Sequence, residues 1–226
     1  MTEAVLLRWP AGSAFGRSIP KTKFYEHGNI HTALREKFVN DIQRITWAYK
    51  LADGTIKLRG TTAVPEIQVF AVQTKGADVA NEVLTAIDKT IHFPIIFEVA
   101  STEGIRMVAA QKSLDGNAPH IATYFSTDWQ SVDAPRRPLP TALDLPSLYE
   151  AILASLLPLP TRVSETVSDA TGRLERIRKV QREITSLEKK LRTEPQLNRK
   201  IDLRRQLKEC EAVFAELSDP APSKKG

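Results

Sequence analysis

Residues 173–217 carry apolar side chains at heptad spacing, interrupted once at Thr193-Glu194-Pro195-Gln196. Ile177, Val180, Ile184, Leu187 and Leu191 advance by alternating steps of three and four, and Leu203, Leu207, Cys210, Phe214 and Leu217 do the same. Each set draws one narrow stripe along a helix. A helix resting on a broad core shows a wider apolar face, so a stripe this narrow is a seam that needs a partner helix. The nearest partner is the other half of the same segment. At the interruption, Thr193 is placed to cap a second helix, Gln196 to complete its capping box, and Pro195 to sit in its first turn. The pattern predicts an antiparallel coiled-coil hairpin over residues 161–217, with arms of about 30–45 Å at 1.5 Å per residue. A disordered tail is expected over residues 218–226.

The charge is concentrated in the same place. The chain has 32 Lys and Arg against 27 Asp and Glu, a net charge of +5. Residues 1–160 are balanced at 16 against 16, so the whole excess lies beyond them. Arg178, Lys179, Arg182, Lys189, Lys190, Arg192, Arg199, Lys200, Arg204 and Arg205 flank the apolar stripes. A cationic helical face can follow DNA phosphates or an acidic protein surface, and it can equally solvate a coiled-coil exterior. No aromatic residue interleaves with these charges, so base stacking is not indicated.

With 226 residues, 42% of them hydrophobic, the chain can bury one sizeable core and still carry an appendage. The first residues lack the basic lead and long apolar stretch of a signal peptide, and no run approaches the length of a membrane span, so a cytoplasmic protein is expected. Cys210 is the single cysteine; within the second stripe it reads as a small hydrophobe rather than a nucleophile.

The remaining sequence reads as an α/β domain over residues 1–132, a mixed β-sheet with flanking helices. Residues 30–40 have helical spacing through Ile30, Leu34, Phe38 and Val39. Residues 42–51 turn β-branched and aromatic and run into Asp53-Gly54, a two-residue hairpin signal before a strand at residues 55–58. Residues 66–74 alternate, residues 79–90 are amphipathic through Val83, Leu84 and Ile87, and residues 94–100 are a short apolar run. Together they predict a βαβ unit whose last strand is buried on both faces. Residues 105–111 and 121–125 add antiparallel neighbours around a turn at Asp115-Gly116-Asn117. Four prolines between Asp133 and Pro146 mark residues 133–160 as a linker carrying a short docking helix at 147–157.

Motifs for chemistry are sparse. There is no glycine-rich phosphate loop, nucleophile elbow, HExxH or CxxC spacing. His27 and His31 are four apart, but the Gly28-Asn29 that follows His27 breaks the helix they would share, and further zinc ligands are missing. His92 reads as a turn residue. The order helix, strand, hairpin strand, strand, helix, strand is compatible with a restriction-endonuclease-like core, whose carboxylates on adjacent strands hold magnesium for attack on a phosphodiester. The candidate set is Asp53, Glu66 and Gln68, with Gln68 standing where a lysine is usual and Glu36 on the preceding helix.

Five segments carry a family resemblance: Ile19-Pro-Lys-Thr-Lys-Phe-Tyr-Glu26, Ile45-Thr-Trp-Ala-Tyr-Lys-Leu51, Glu66-Ile-Gln-Val-Phe70, Ile87-Asp-Lys-Thr-Ile91 with Pro94-Ile-Ile-Phe97, and Glu194-Pro-Gln-Leu-Asn-Arg-Lys-Ile201. In this order, over nearly the whole chain, they resemble a bacterial and archaeal family catalogued as domain of unknown function 4391. Members tend to be encoded beside DNA helicases, adenine methyltransferases and restriction-type subunits, so the resemblance implies a place in modification or phage-defence systems without implying a chemistry. Where members commonly have Glu-Lys-Gln-Phe-Asn-Arg-Lys this chain has Glu194-Pro-Gln-Leu-Asn-Arg-Lys200, and His92 stands where they have proline.

The expectation is a non-catalytic accessory subunit without a cofactor, docking a helicase or methyltransferase subunit through the arm. Ile177, Ile184, Leu187, Leu191, Leu203, Leu207 and Phe214 form the apolar contact, and the basic flank meets DNA or an acidic partner. The loop with Lys21 and Lys23 is a second contact surface. The alternatives are a magnesium-dependent nuclease using Asp53, Glu66 and Gln68, and a structural protein whose arm pairs with a second copy.

Overall fold

The computed structural model describes residues 6–27, 30–113, 120–158 and 161–220. They form two units, Met1–Pro158 and Leu159–Gly226. The first unit is built on a six-stranded sheet of β2 (Ala14–Ser18), β3 (Ile42–Leu51), β4 (Ile67–Thr74), β5 (Ile95–Ser101), β6 (Gly104–Ser113) and β7 (His120–Ser126), lying side by side in chain order. Only β4 and β5 run parallel; the other pairs are antiparallel. A separate parallel pair joins β1 (Leu7–Arg8) to β8 (Arg137–Pro138).

The parallel pair requires a crossover, supplied by α4 (Asn81–Thr90), which buries Val83, Leu84, Ala86 and Ile87. Helices α1 (Thr22–His27) and α2 (Thr32–Asp41) add Phe24 and Phe38 to the same core, which meets the sheet at Phe70, Val72, Phe97 and Val99. The residues between them, Ile67, Val69 and Ile96, are also fully buried, so β4 and β5 are covered on both faces, as their apolar run requires. Helix α5 (Leu145–Leu156) starts at Asp144, whose carboxylate accepts the Ser147 N–H at 2.9 Å, and packs against β6 and β7. The second unit is the expected hairpin: α6 (Val167–Thr193) and α7 (Leu197–Ser218) lie along one another. No described helix is long and apolar enough to cross a membrane.

Two local expectations are corrected. Asp53-Gly54 makes no two-residue hairpin and residues 55–58 no strand; residues Asp53–Ile56 form a single helical turn, α3. A hairpin turn of that type needs positive φ at both central residues, and in this segment only Lys57 has it. The Thr55 hydroxyl instead donates to the Lys50 carbonyl at 2.7 Å and accepts the Ala52 N–H at 2.9 Å, closing a helical turn. Thr193 ends α6 and does not cap α7, because its hydroxyl donates back to the Lys189 and Lys190 carbonyls; Gln196 makes no side-chain cap and Pro195 falls in the connection. His31 is the N-cap of α2, its Nδ1 accepting the Leu34 N–H, while His27 closes α1, so the two belong to different helices. The turn expected at Asp115-Gly116-Asn117 and the tail from residue 221 onward lie outside the described residues.

One buried network ties these layers together. Lys112 of β6 has a fully buried side chain, and its ammonium meets the Asp88 carboxylate at 2.9 Å. It also donates to the carbonyls of Asp88 at 2.6 Å and Phe93 at 3.0 Å, and to that of Ile91. These acceptors lie at and just beyond the end of α4, so Lys112 is the cap of that helix. The other Asp88 oxygen accepts the Tyr124 hydroxyl of β7 at 2.7 Å. Burial drives the Asp88 carboxyl above its ordinary pKa and the Lys112 ammonium below its own, and burial followed by the Asp88 charge holds the Tyr124 phenol far above the usual range. Removing one partner leaves the other charge buried alone. Lys112→Ala is therefore expected to cost about 3–5 kcal/mol in chemical denaturation of the full chain, and Tyr124→Phe about 1.5–3 kcal/mol.

Candidate functional site

The β3–β4 register sets Lys50 opposite Gln68, two residues from Glu66, at the start of β4. Lys50 Nζ lies 2.6 Å from Glu66 Oε2, and the Gln68 amide donates to Glu66 Oε1 at 2.5 Å. Glu66 and Gln68 are 8% and 3% exposed, while the Lys50 side chain is 35% exposed, so the carboxylate is buried and its cation reaches in from the surface. Both carboxylate oxygens are engaged. Asp53, at the start of α3, and Glu36, on α2, are exposed, and among the described residues no hydrogen bond or ion pair links either to Glu66. No set of three His, Cys, Asp or Glu side chains among the described residues is arranged to hold a metal ion. Asp53, Glu66 and Gln68 thus do not fit a magnesium site as they stand; the structure joins Glu66 and Gln68 and leaves Asp53 apart. Lys50 was absent from the sequence-derived set because only the strand pairing brings it there.

The two lysines of the early loop have separate fates. Lys21 is half-buried and donates to the Ile42 carbonyl, with burial and then the Lys75 charge lowering its pKa. Lys23 is exposed and, among the described residues, its ion pair is the one to Glu26 at 4.0 Å. The exposed ring of His92 stands edge-on to Phe93 at 5.9 Å.

The arm presents a different surface. Ile177, Ile184 and Leu187 of α6 are buried, and Leu191 is half-buried. Facing them, Leu203, Leu207, Cys210, Phe214 and Leu217 of α7 are all only half-buried, and α7 has no buried residue. Leu197, Ile201 and Val213 are exposed at 68%, 55% and 45%. Arg178, Lys179, Arg182, Lys189, Lys190, Arg199 and Arg204 are exposed and, among the described residues, pair with no carboxylate; Lys200 is half-buried, and Arg205 meets Asp202 at 3.6 Å. The Cys210 thiol is pushed up by desolvation and then by the Glu183 and Glu209 charges, which disfavours its thiolate.

The open end of the hairpin is clasped. Arg173, 2% exposed, holds Glu165 through two hydrogen bonds of 2.7 and 2.8 Å and donates to the Leu217 carbonyl at 3.1 Å. Arg162 donates to the carbonyls of Glu216 at 2.6 Å and Asp219 at 3.0 Å. Two guanidinium groups thereby satisfy the last carbonyls of α7, which have no partners within the helix. The Arg173 hydrogen bonds hold the Glu165 carboxyl below its ordinary value of 4.5. A depressed carboxylate contributes stability that is complete above the unfolded pKa and lost as the pH falls through the folded one. Hydrogen exchange across α7, corrected for its intrinsic pH dependence, should therefore quicken on acidification below about pH 4.5. Glu165→Gln should show weaker protection at neutral pH and a flatter pH response.

Comparison with known proteins adds one finding. No curated protein and no solved structure matches the chain. A family model, Domain of unknown function (DUF4391), matches residues 7–213, covering both the sheet and most of the hairpin, and the chain belongs to that family.

Proposed function

We propose that the chain is a non-catalytic interaction subunit of a DNA-processing system of the restriction or phage-defence kind, docking a larger enzyme through its helical arm. The observation that carries this reading is the seam of α7, half-buried along its length although α6 already lies beside it. A further helix seated there would complete the burial that two helices leave unfinished, each fully covered leucine contributing about 1.5–3 kcal/mol. The unpaired cations beside the seam would meet the acidic rim of that partner or the DNA it handles. The setting follows the family, whose resemblance implies a helicase or methyltransferase subunit as partner and a cytoplasmic location. Affinity capture with the full chain should return such a subunit. Leu203→Asp with Leu207→Asp should lower the yield at least about tenfold, a loss of about 1.4 kcal/mol or more, while far-ultraviolet helicity is retained. Recovery of a second copy of the chain alone would assign the seam to arm-to-arm pairing.

A nuclease is the second reading: Lys50 supplies from the neighbouring strand the cation that Gln68 lacks, although a metal would have to displace it from Glu66. Magnesium-dependent cleavage of duplex DNA by the full chain, lost in both Glu66→Ala and Lys50→Ala, is the result this reading requires. Intact DNA with the wild-type chain retires it.

A further inference from the structure

A cavity of about 320 Å³ opens in the α/β unit between the β3–β4 face, α1 and the segment following α4. Its walls are Ile19, Phe24, Trp47, Phe70, Ile91 and Phe93. Trp47 is the half-buried aromatic wall of the cavity, and the fully buried Phe70 lies nearly parallel to it, at 9° with centroids 6.2 Å apart. The walls are fixed from behind. Lys112 holds the carbonyls of Ile91 and Phe93, the Trp47 indole N–H donates to the Tyr49 carbonyl at 3.0 Å, and Lys21 ties the start of the α1 segment to the Ile42 carbonyl.

One buried polar side chain lines this apolar space, Gln68. Its orientation is determined: the amide nitrogen is committed to Glu66, which Lys50 neutralises. The amide oxygen accepts no hydrogen bond among the described residues. An N–H or O–H of a ligand can occupy that acceptor, in a cavity whose walls are otherwise mainly apolar. Lys23 also lines the cavity and is largely exposed; among the described residues its ion pair is the long one to Glu26, which solvent leaves weak and exchangeable.

We infer that this cavity is a binding site for a planar aromatic anion, its ring against Trp47, a ring-edge donor on the Gln68 oxygen and its negative charge toward Lys23. The volume lies at the lower end of the range for small-molecule sites, which limits the ring system to one or two fused rings. Nucleotides and aromatic carboxylates share this chemistry, and the experiment separates them. The full chain, labelled with ¹⁵N, is titrated with adenosine 5′-monophosphate, with indole-3-acetate and with 1-naphthoate, which has no ring donor, following the Trp47 indole resonance. The expected result is a saturable shift for at least one of the first two. The same ligand should bind about tenfold more weakly to Gln68→Met, and naphthoate should be about tenfold weaker on the wild type, each the size of one lost hydrogen bond. Lys23→Ala, at an exposed position that leaves the fold intact, should weaken the anion and not its uncharged counterpart, adenosine or indole. The inference is overturned if none of the probes shifts Trp47, or if naphthoate and Gln68→Met match the donor-bearing ligand on the wild type.

Discussion

The ammonium of Lys112 lies where a charge can exist only if it is fully surrounded by acceptors, and the α/β unit supplies them. One carboxylate and three carbonyls converge on it, from α4 and the segment that follows. Because that segment leads directly into β5, the crossover, the start of the parallel strand and the far wall of the aromatic cavity share one anchor. The arrangement is demanding: each charge is costly to bury, and the pair is tolerable only because Tyr124 and the helix carbonyls satisfy what the two charges leave open. An apolar pair of similar volume could fill the space, but it would leave the end of α4 without donors, and the cavity wall would lose its fixed position.

The arm is stabilised on another principle. Two helices in contact cover only part of each other, so the seam of α7 stays half-buried over its whole length while α6 buries three of its seam residues. Specific polar geometry is confined to the open end, where Arg162 and Arg173 bind the carbonyls of α7 and Glu165 fixes Arg173. Register is thus set by the clasp at one end and by the three-residue connection at the other, with an adaptable apolar surface between. Apart from Arg205, the exposed cations alongside pair with no carboxylate among the described residues, so they add little to the stability of the hairpin itself and leave its electrostatic surface available to other molecules.

Elements whose signal is periodic were legible in the sequence. The alternation of β4, the amphipathic α4 and the apolar run of β5 gave the βαβ unit, and the heptads gave the hairpin, because burial of one face leaves its period in the residues. Asp53-Gly54 misled because the residues that favour a tight hairpin turn also begin a helical turn, and the choice was made by the Thr55 hydroxyl two residues on. Thr193 misled because the same side chain can cap the helix ahead or bond back to the helix behind. The pairs Lys112–Asp88 and Lys50–Glu66 were illegible for a different reason: their members are far apart in sequence, and only strand register and helix packing bring them together. Half of the candidate site was therefore visible, as Glu66 and Gln68, and half was not.

Lys50 is the residue on which the chemical character of that site turns. A carboxylate at the start of a central strand, beside a crossover helix, reads as a metal ligand when the strand is considered alone. With Lys50 opposite, its negative charge is compensated and one oxygen is occupied, while the other fixes an amide. A divalent cation would have to displace the ammonium and break the amide hydrogen bond together, at a carboxylate that is itself buried. The same two contacts, seen from Gln68, orient an acceptor toward an aromatic cavity without any rearrangement. Glu66 is thereby better suited to positioning a neighbour than to holding an ion, and Lys50 is the cause.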